Sequence, residues 1–236
     1  MRLETVFNKG CKPDTCQPRV SLCEPWDFNT KTMLLNDLQQ YQIYLASKSP
    51  RRKELLAGMG VDFEVMTTDV EETYDPSWSP EQIVMHLSRL KLSPIDMAQY
   101  DPKTLFIACD TIVVVGGRII GKPKDETEAR KMLHALSGNT HTVYSGLTVA
   151  TPQESLTDYR ATEVVFDELT DEMIQYYIDT YKPYDKAGSY GVQEWIGYVG
   201  IREVRGSYYN VMGLPTRLLW EMLEDTLLRI KLSYLR

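Results

Sequence analysis

The chain has 236 residues, of which 43% are hydrophobic and 25% charged, and its net charge at pH 7 is −7. That is enough apolar material for one substantial core or two joined lobes. The acidic balance argues against a nucleic-acid-binding protein, which needs surplus cations to neutralise phosphates, whereas a small phosphate ligand needs only a few local ones. No run approaches the roughly 18 apolar residues of a membrane-spanning helix, and the N-terminal stretch lacks the apolar centre of a secretory signal. A cytoplasmic protein engaging neither membrane nor nucleic acid is therefore expected.

Residues 1–32 show no helical or strand period and hold three prolines and three of the four cysteines, Cys11, Cys16 and Cys23. They read as a poorly ordered extension, or as sequence upstream of a start at Met33. A zinc site from those cysteines is the alternative, although the first histidine is as far off as His86 and the spacing matches no common finger. Residues 33–236 form the expected domain.

From Tyr41 the pattern is α/β. Tyr41–Ala46 reads as a strand, Pro50–Met59 as a helix, Asp62–Met66 as a strand and Pro80–Leu92 as an amphipathic helix. Thr104–Cys109 is an apolar run suited to a strand buried on both faces. Ile112–Val115 and Arg118–Ile120 flank Gly116-Gly117, a two-residue hairpin signal. Asp125 with Glu128 opens a helix over Glu126–Leu136 in the manner of a capping box. Strands follow at Thr140–Ala150 and Leu156–Phe166, then a helix at Asp171–Tyr181 and a glycine-bearing loop at Asp185–Gln193. Strands around Gly197–Val204 and a helix over Pro215–Ile230 close the chain.

Four places concentrate chemistry. Ser49 and Pro50 form a good N-cap and first helical residue, which crowds Arg51, Arg52 and Lys53 into the first turn. Cations there oppose the helix dipole, at about 0.3–1 kcal/mol each when exposed, and an anionic ligand would reverse the sign. A solvated basic turn is the plainer alternative. Asp110-Thr111 ends the buried run, where an acid is a candidate for metal binding or water activation. Counting outward from the hairpin sets Lys122 across from Thr111 and beside Asp110, as a phosphate-binding partner or an ordinary salt bridge. Asp69-Val70-Glu71-Glu72 could complete a hard-metal site with Asp110 or be merely solvated. In Asp185–Gln193, two glycines allow close backbone approach, Lys186 offers a phosphate contact, and the Gln193 amide can read a base edge. The three histidines are not needed. P-loop, dinucleotide-binding and Gly-x-Ser-x-Gly signatures are missing.

Taken in order, LASKSPRRKELL, VEE, Leu90-Lys91, ACDTIVVVGGRIIGKP, LSGNTHTV, DKAGSYGVQ and GSYYNVMGLP resemble the Maf family of nucleoside triphosphate pyrophosphatases. The resemblance implies an inosine triphosphatase-like α/β fold, an elongated mixed sheet with helices and two lobes around a central cleft. It implies hydrolysis at the α–β phosphate bond with Mg²⁺ or Mn²⁺, in a protein expected to be a homodimer. On this basis Asp110 is the general base and Glu72 helps it hold the metal. Ser49, Arg52, Lys91, Lys122 and Lys186 surround the phosphates. The family branch acting on 7-methyl-GTP tends to carry other residues at the positions of Arg51, Thr111 and Gln193, so the chain resembles the dTTP/UTP branch. An uncharged amide also suits a pyrimidine imide better than a carboxylate would. A nucleotide-binding role in cell division, or action on modified pyrimidine nucleotides, are the other readings.

Overall fold

The computed structural model describes residues 34–233. The extension and its three cysteines lie outside the described residues. Seven strands form one mixed sheet in the order β2-β1-β3-β5-β6-β7, with β4 pairing β3 beside β1. The strands are β1 (Gln42–Ala46), β2 (Glu64–Met66), β3 (Thr104–Val115), β4 (Arg118–Ile120), β5 (Thr140–Ala150), β6 (Ser155–Phe166) and β7 (Ile201–Arg205). Only β2, β1 and β3 run parallel; the other pairs are antiparallel. Besides the helical residues 34–38, the helices are α1 (Pro50–Gly58), α2 (Pro80–Leu90), α3 (Glu126–Leu136), α4 (Asp171–Tyr181), α5 (Trp195–Gly200), α6 (Tyr208–Met212) and α7 (Thr216–Ser233). The α/β expectation holds.

The long strands β3, β5 and β6 connect two apolar cores. In the first, Leu45, Leu105 and Ile107 of the sheet meet Leu56 of α1 and Leu219 and Leu223 of α7. In the second, Val143, Val164 and Phe166 meet Leu133 and Leu136 of α3 and Ile174 and Tyr177 of α4. Each fully buried aliphatic side chain contributes about 1.5–3 kcal/mol. The lobes are thus the two ends of a single sheet.

The hairpin turns as expected, with Val115 opposite Arg118 and positive φ at both Gly116 and Gly117, as a type I′ turn requires. Two expectations are corrected here. Asp110 and Thr111 interrupt nothing: β3 runs unbroken from Thr104 to Val115 with Asp110 at its middle. The strand expected around Gly197–Val204 begins only at Ile201, because residues 197–200 belong to helix α5.

β3 has a gap along one edge. β1 pairs with it only through Ile107, and β4 only from Val113 onward. Residues 108–112 face neither neighbour. The carboxyl ends of β1 and β2 open beside this gap, the crevice where parallel sheets usually take ligands. Helix α2 crosses the sheet close by, fixed at its start by a full capping box between Ser79 and Gln82. It lies so near β5 that a Cβ on Gly146 would stand 2.1 Å from the Val84 carbonyl oxygen. Ser88 and Thr148 hydroxyls bridge the same contact at 2.8 Å.

Candidate active site

Ser49, Arg51, Arg52, Glu72, Lys91, Asp110, Thr111, Lys122, Lys186 and Gln193 all border one cleft of about 590 Å³. That volume is ordinary for a small-molecule site. Asp110 is buried on β3, directly across from Gly146 of β5. The close passage of α2 over that glycine brings the helix's C-terminal end, and with it Lys91, to the gap. Lys91 Nζ stands 3.0 Å from Asp110 Oδ1 and also donates to Glu72 Oε1. Two carboxylates share one ammonium.

Their environments separate them. Burial pushes the Asp110 carboxyl above its usual range, overriding the pull of Lys91 and Arg52. Burial also raises Glu72, but Lys91, Lys122 and Arg52 together hold it below the usual value. Lys91, despite its own burial, is kept above the ordinary ammonium range by Asp110 and Glu72. The remainder of the acidic segment behaves differently, since Asp69 pairs with Lys48 at 2.6 Å in an exposed bridge.

Arg52 is held on three sides. Its Nε donates to the Gly213 carbonyl at 2.8 Å, Nη1 to Ser47 Oγ at 3.4 Å and Nη2 to Thr111 Oγ1 at 3.2 Å. Thr111 is fixed in turn by Ser145 Oγ at 2.9 Å. Ser49 occupies the N-cap position of α1, yet its side chain makes no capping bond. Its hydroxyl therefore borders the cleft without a capping bond, at the end of the helix whose dipole favours anions. From the same turn of α1, Arg51 donates to Asp185 at 2.8 Å, and Lys186 bonds both Asp185 and Glu194. Gln193 Oε1 is buried without a hydrogen-bond partner among the described residues.

Lys122 is not where hairpin counting put it. The register is the counted one, but the β3–β4 ladder ends at Val113–Ile120, two pairs short of Thr111 and Lys122. The following Gly121 carbonyl turns away to accept from Gly188 N–H, leaving Lys122 exposed on the cleft rim. The lysine beside Asp110 is Lys91. Gly188 takes a positive φ, and a Cβ there would meet the Val113 methyls at 3.3 Å.

The family profile described as "Maf-like protein" matches residues 42–226. The chain belongs to the Maf family. The Maf match runs from β1 into α7 and contains all ten cleft residues. A dTTP/UTP pyrophosphatase of Porphyromonas gingivalis is 46% identical over 194 residues, covering 81% of this chain and 98% of the relative. Proteins of the same name from Phocaeicola vulgatus and Bacteroides thetaiotaomicron are 47% and 45% identical. They cover 81% and 79% of this chain, and 99% and 97% of their own lengths.

Several residues of this Maf site escaped sequence reading. Gly213, whose carbonyl anchors Arg52, follows α6, a helix absent from the expected elements. Ser207 as N-cap, Gly213 in the left-handed region and Pro215 two residues later were its available signal. Ser145 and Asn210 gave no such signal, because their partners lie far off in the chain, and Glu194 meets Lys186 only once the loop between them has folded.

Proposed function

We propose that this chain hydrolyses nucleoside triphosphates, dTTP and UTP foremost, to the nucleoside monophosphate and pyrophosphate, as nucleotide-pool housecleaning. The observation that carries the reading is Asp110, a buried carboxylate with a raised proton affinity at the base of a cleft walled by Arg52, Lys91 and Lys186. A general base works best when its pKa lies nearer the working pH than an ordinary carboxylate's does.

The polyphosphate lies against the start of α1, where N–H groups, the Ser49 hydroxyl and the Arg52 fork converge. Arg52 needs little further ordering, since three hydrogen bonds already hold it. Asp110 takes a proton from water as its oxygen attacks the α-phosphorus. The bond to the bridging oxygen breaks, and pyrophosphate leaves with the electron pair. Arg52, Lys91 and Lys186 stabilise the charge that builds on the leaving group.

Glu72 and Asp110 suit a divalent cation by their chemistry: two hard oxygen donors already share a positive charge, and Mg²⁺ or Mn²⁺ commonly uses one or two carboxylates with substrate phosphates. Such an ion would polarise the phosphoryl oxygens and lower the pKa of water. For the base, Gln193 offers a buried, unpartnered carbonyl oxygen that an imide N–H of uracil or thymine would satisfy.

Pyrophosphate release from each common nucleoside triphosphate, with and without Mg²⁺, tests the reading. Nucleotide binding with no release from any of them would sink it in favour of a nucleotide-binding regulator.

A further inference from the structure

Behind the cleft wall runs a polar chain whose inner members, Tyr177 and Glu194, the proposed reaction does not use. It starts at Tyr177, whose ring is fully buried on α4. The Tyr177 hydroxyl accepts from Gly191 N–H at 3.0 Å and donates to Glu194 Oε2. Burial, then the neighbouring Glu194 carboxylate, push this phenol far above its usual range, so it stays a donor. The other Glu194 oxygen, Oε1, stands 3.0 Å from Lys186 Nζ. Lys186 also meets Asp185 Oδ1 at 2.8 Å, and Asp185 Oδ2 meets Arg51 at 2.8 Å.

The fold makes specific room for this arrangement. Glu194 turns back over Gly191, where a Cβ would stand 2.8 Å from its carboxyl carbon. Lys186, Gly191 and Gln193 border the cleft, whereas Tyr177 and Glu194 lie behind it. A lysine has four side-chain torsions to fix, and its ammonium is useful to a ligand only where it is aimed. Asp185 cannot do the aiming alone, because it is largely exposed and divided between Lys186 and Arg51.

We infer that Glu194, seated by Tyr177, is a positioning residue that aims the Lys186 ammonium at the polyphosphate. The inference rests on Lys186 being a phosphate contact, as in the proposed function. Two physical effects oppose one another when Glu194 is removed. Loss of a nearby negative charge alone would tighten anion binding, while loss of aim would weaken it. The sign of the change therefore discriminates.

The experiment is calorimetric binding of inorganic pyrophosphate, with Mg²⁺, to the full chain and its variants, alongside thermal melts. Glu194→Ala weakens binding about five- to twentyfold, and Tyr177→Phe about two- to fivefold, as expected for one lost charge-assisted or neutral hydrogen bond. Glu194→Gln keeps an acceptor oxygen and recovers most of the affinity. In a Lys186→Ala background, Glu194→Ala produces no further loss, because its effect passes through the lysine. Unchanged or tighter binding in Glu194→Ala overturns the inference. So does an equal loss in the Lys186→Ala background, which would mark a general effect on the fold. Should Glu194→Ala not fold, Tyr177→Phe with affinity unchanged overturns it equally. Lys186→Ala with unaltered affinity instead removes the phosphate role of Lys186 itself.

Discussion

Asp110 and Glu72 share one ammonium yet are driven in opposite directions, the first upward by burial and the second downward by three cations. This divergence sorts a proton acceptor from a permanently ionised neighbour. Asp110→Asn keeps the size but not the basicity, so turnover is expected to fall by about 10²–10⁴. The variant's melting temperature should remain near the parent's. In the parent, kcat/KM declines as pH falls through a value above the ordinary aspartate pKa, since only the ionised form accepts the proton. Turnover within tenfold of the parent would remove Asp110 from the role of base. Gln193 carries the selectivity argument. Gln193→Glu sets a carboxylate against the imide carbonyls, so kcat/KM for UTP should fall by about ten- to a hundredfold and less for a guanine-type substrate. Equal losses on both would show that Gln193 arranges the loop without reading the base.

Elements with local punctuation were legible in the sequence. Ser49-Pro50 marks the start of α1 and Gly116-Gly117 the β3–β4 turn, because capping and positive φ are decided within a few residues. β3 was not, because Asp110 and Thr111 look like a strand end until Lys91, Arg52 and Ser145 arrive from distant segments. Likewise Trp195–Gly200 has strand-like composition, and its helical turn depends on Gly197, where a Cβ would stand 1.8 Å from the Val192 carbonyl oxygen. The site residues were legible as a set, but the lysine beside Asp110 depends on how α2 lies across the sheet. Gly146→Ala tests that dependence. The added methyl strikes Val84 backbone, so α2 must lift, costing about 1–3 kcal/mol or more and moving Lys91 from Asp110. Gly58→Ala, with nothing within 4 Å, is the control and should leave melting nearly unchanged or raised. Equal melting temperatures in the two variants would show that the α2–β5 approach is not tight.

At the scale of the whole molecule, both lobes hang on one sheet, so a titrating group buried in either affects the stability of all of it. His141 lies on β5 in the second lobe, 1% exposed, beside Phe166 and Tyr190. Its Nε2 meets the Tyr190 hydroxyl at 2.7 Å, and Nδ1 has no partner among the described residues. Burial lowers its pKa from 6.5 to about 4. Between those values the unfolded chain binds a proton that the folded chain refuses, so stability rises with pH across the window and is lost on acidification. The full shift corresponds to about 3 kcal/mol, lost progressively from pH 6.5 to 4. Asp110 works against it: its raised pKa makes the folded state the better proton binder above pH 3.8, which lowers stability as pH rises. The His141 share is therefore read by difference, from urea unfolding of the parent and of His141→Leu at several pH values. The variant loses the Tyr190 hydrogen bond at every pH, a constant offset, while the gap between the two proteins narrows or reverses toward pH 4. A gap independent of pH would mean that His141 takes up its proton in the folded chain at the same pH as in the unfolded one, so that burial does not lower its pKa.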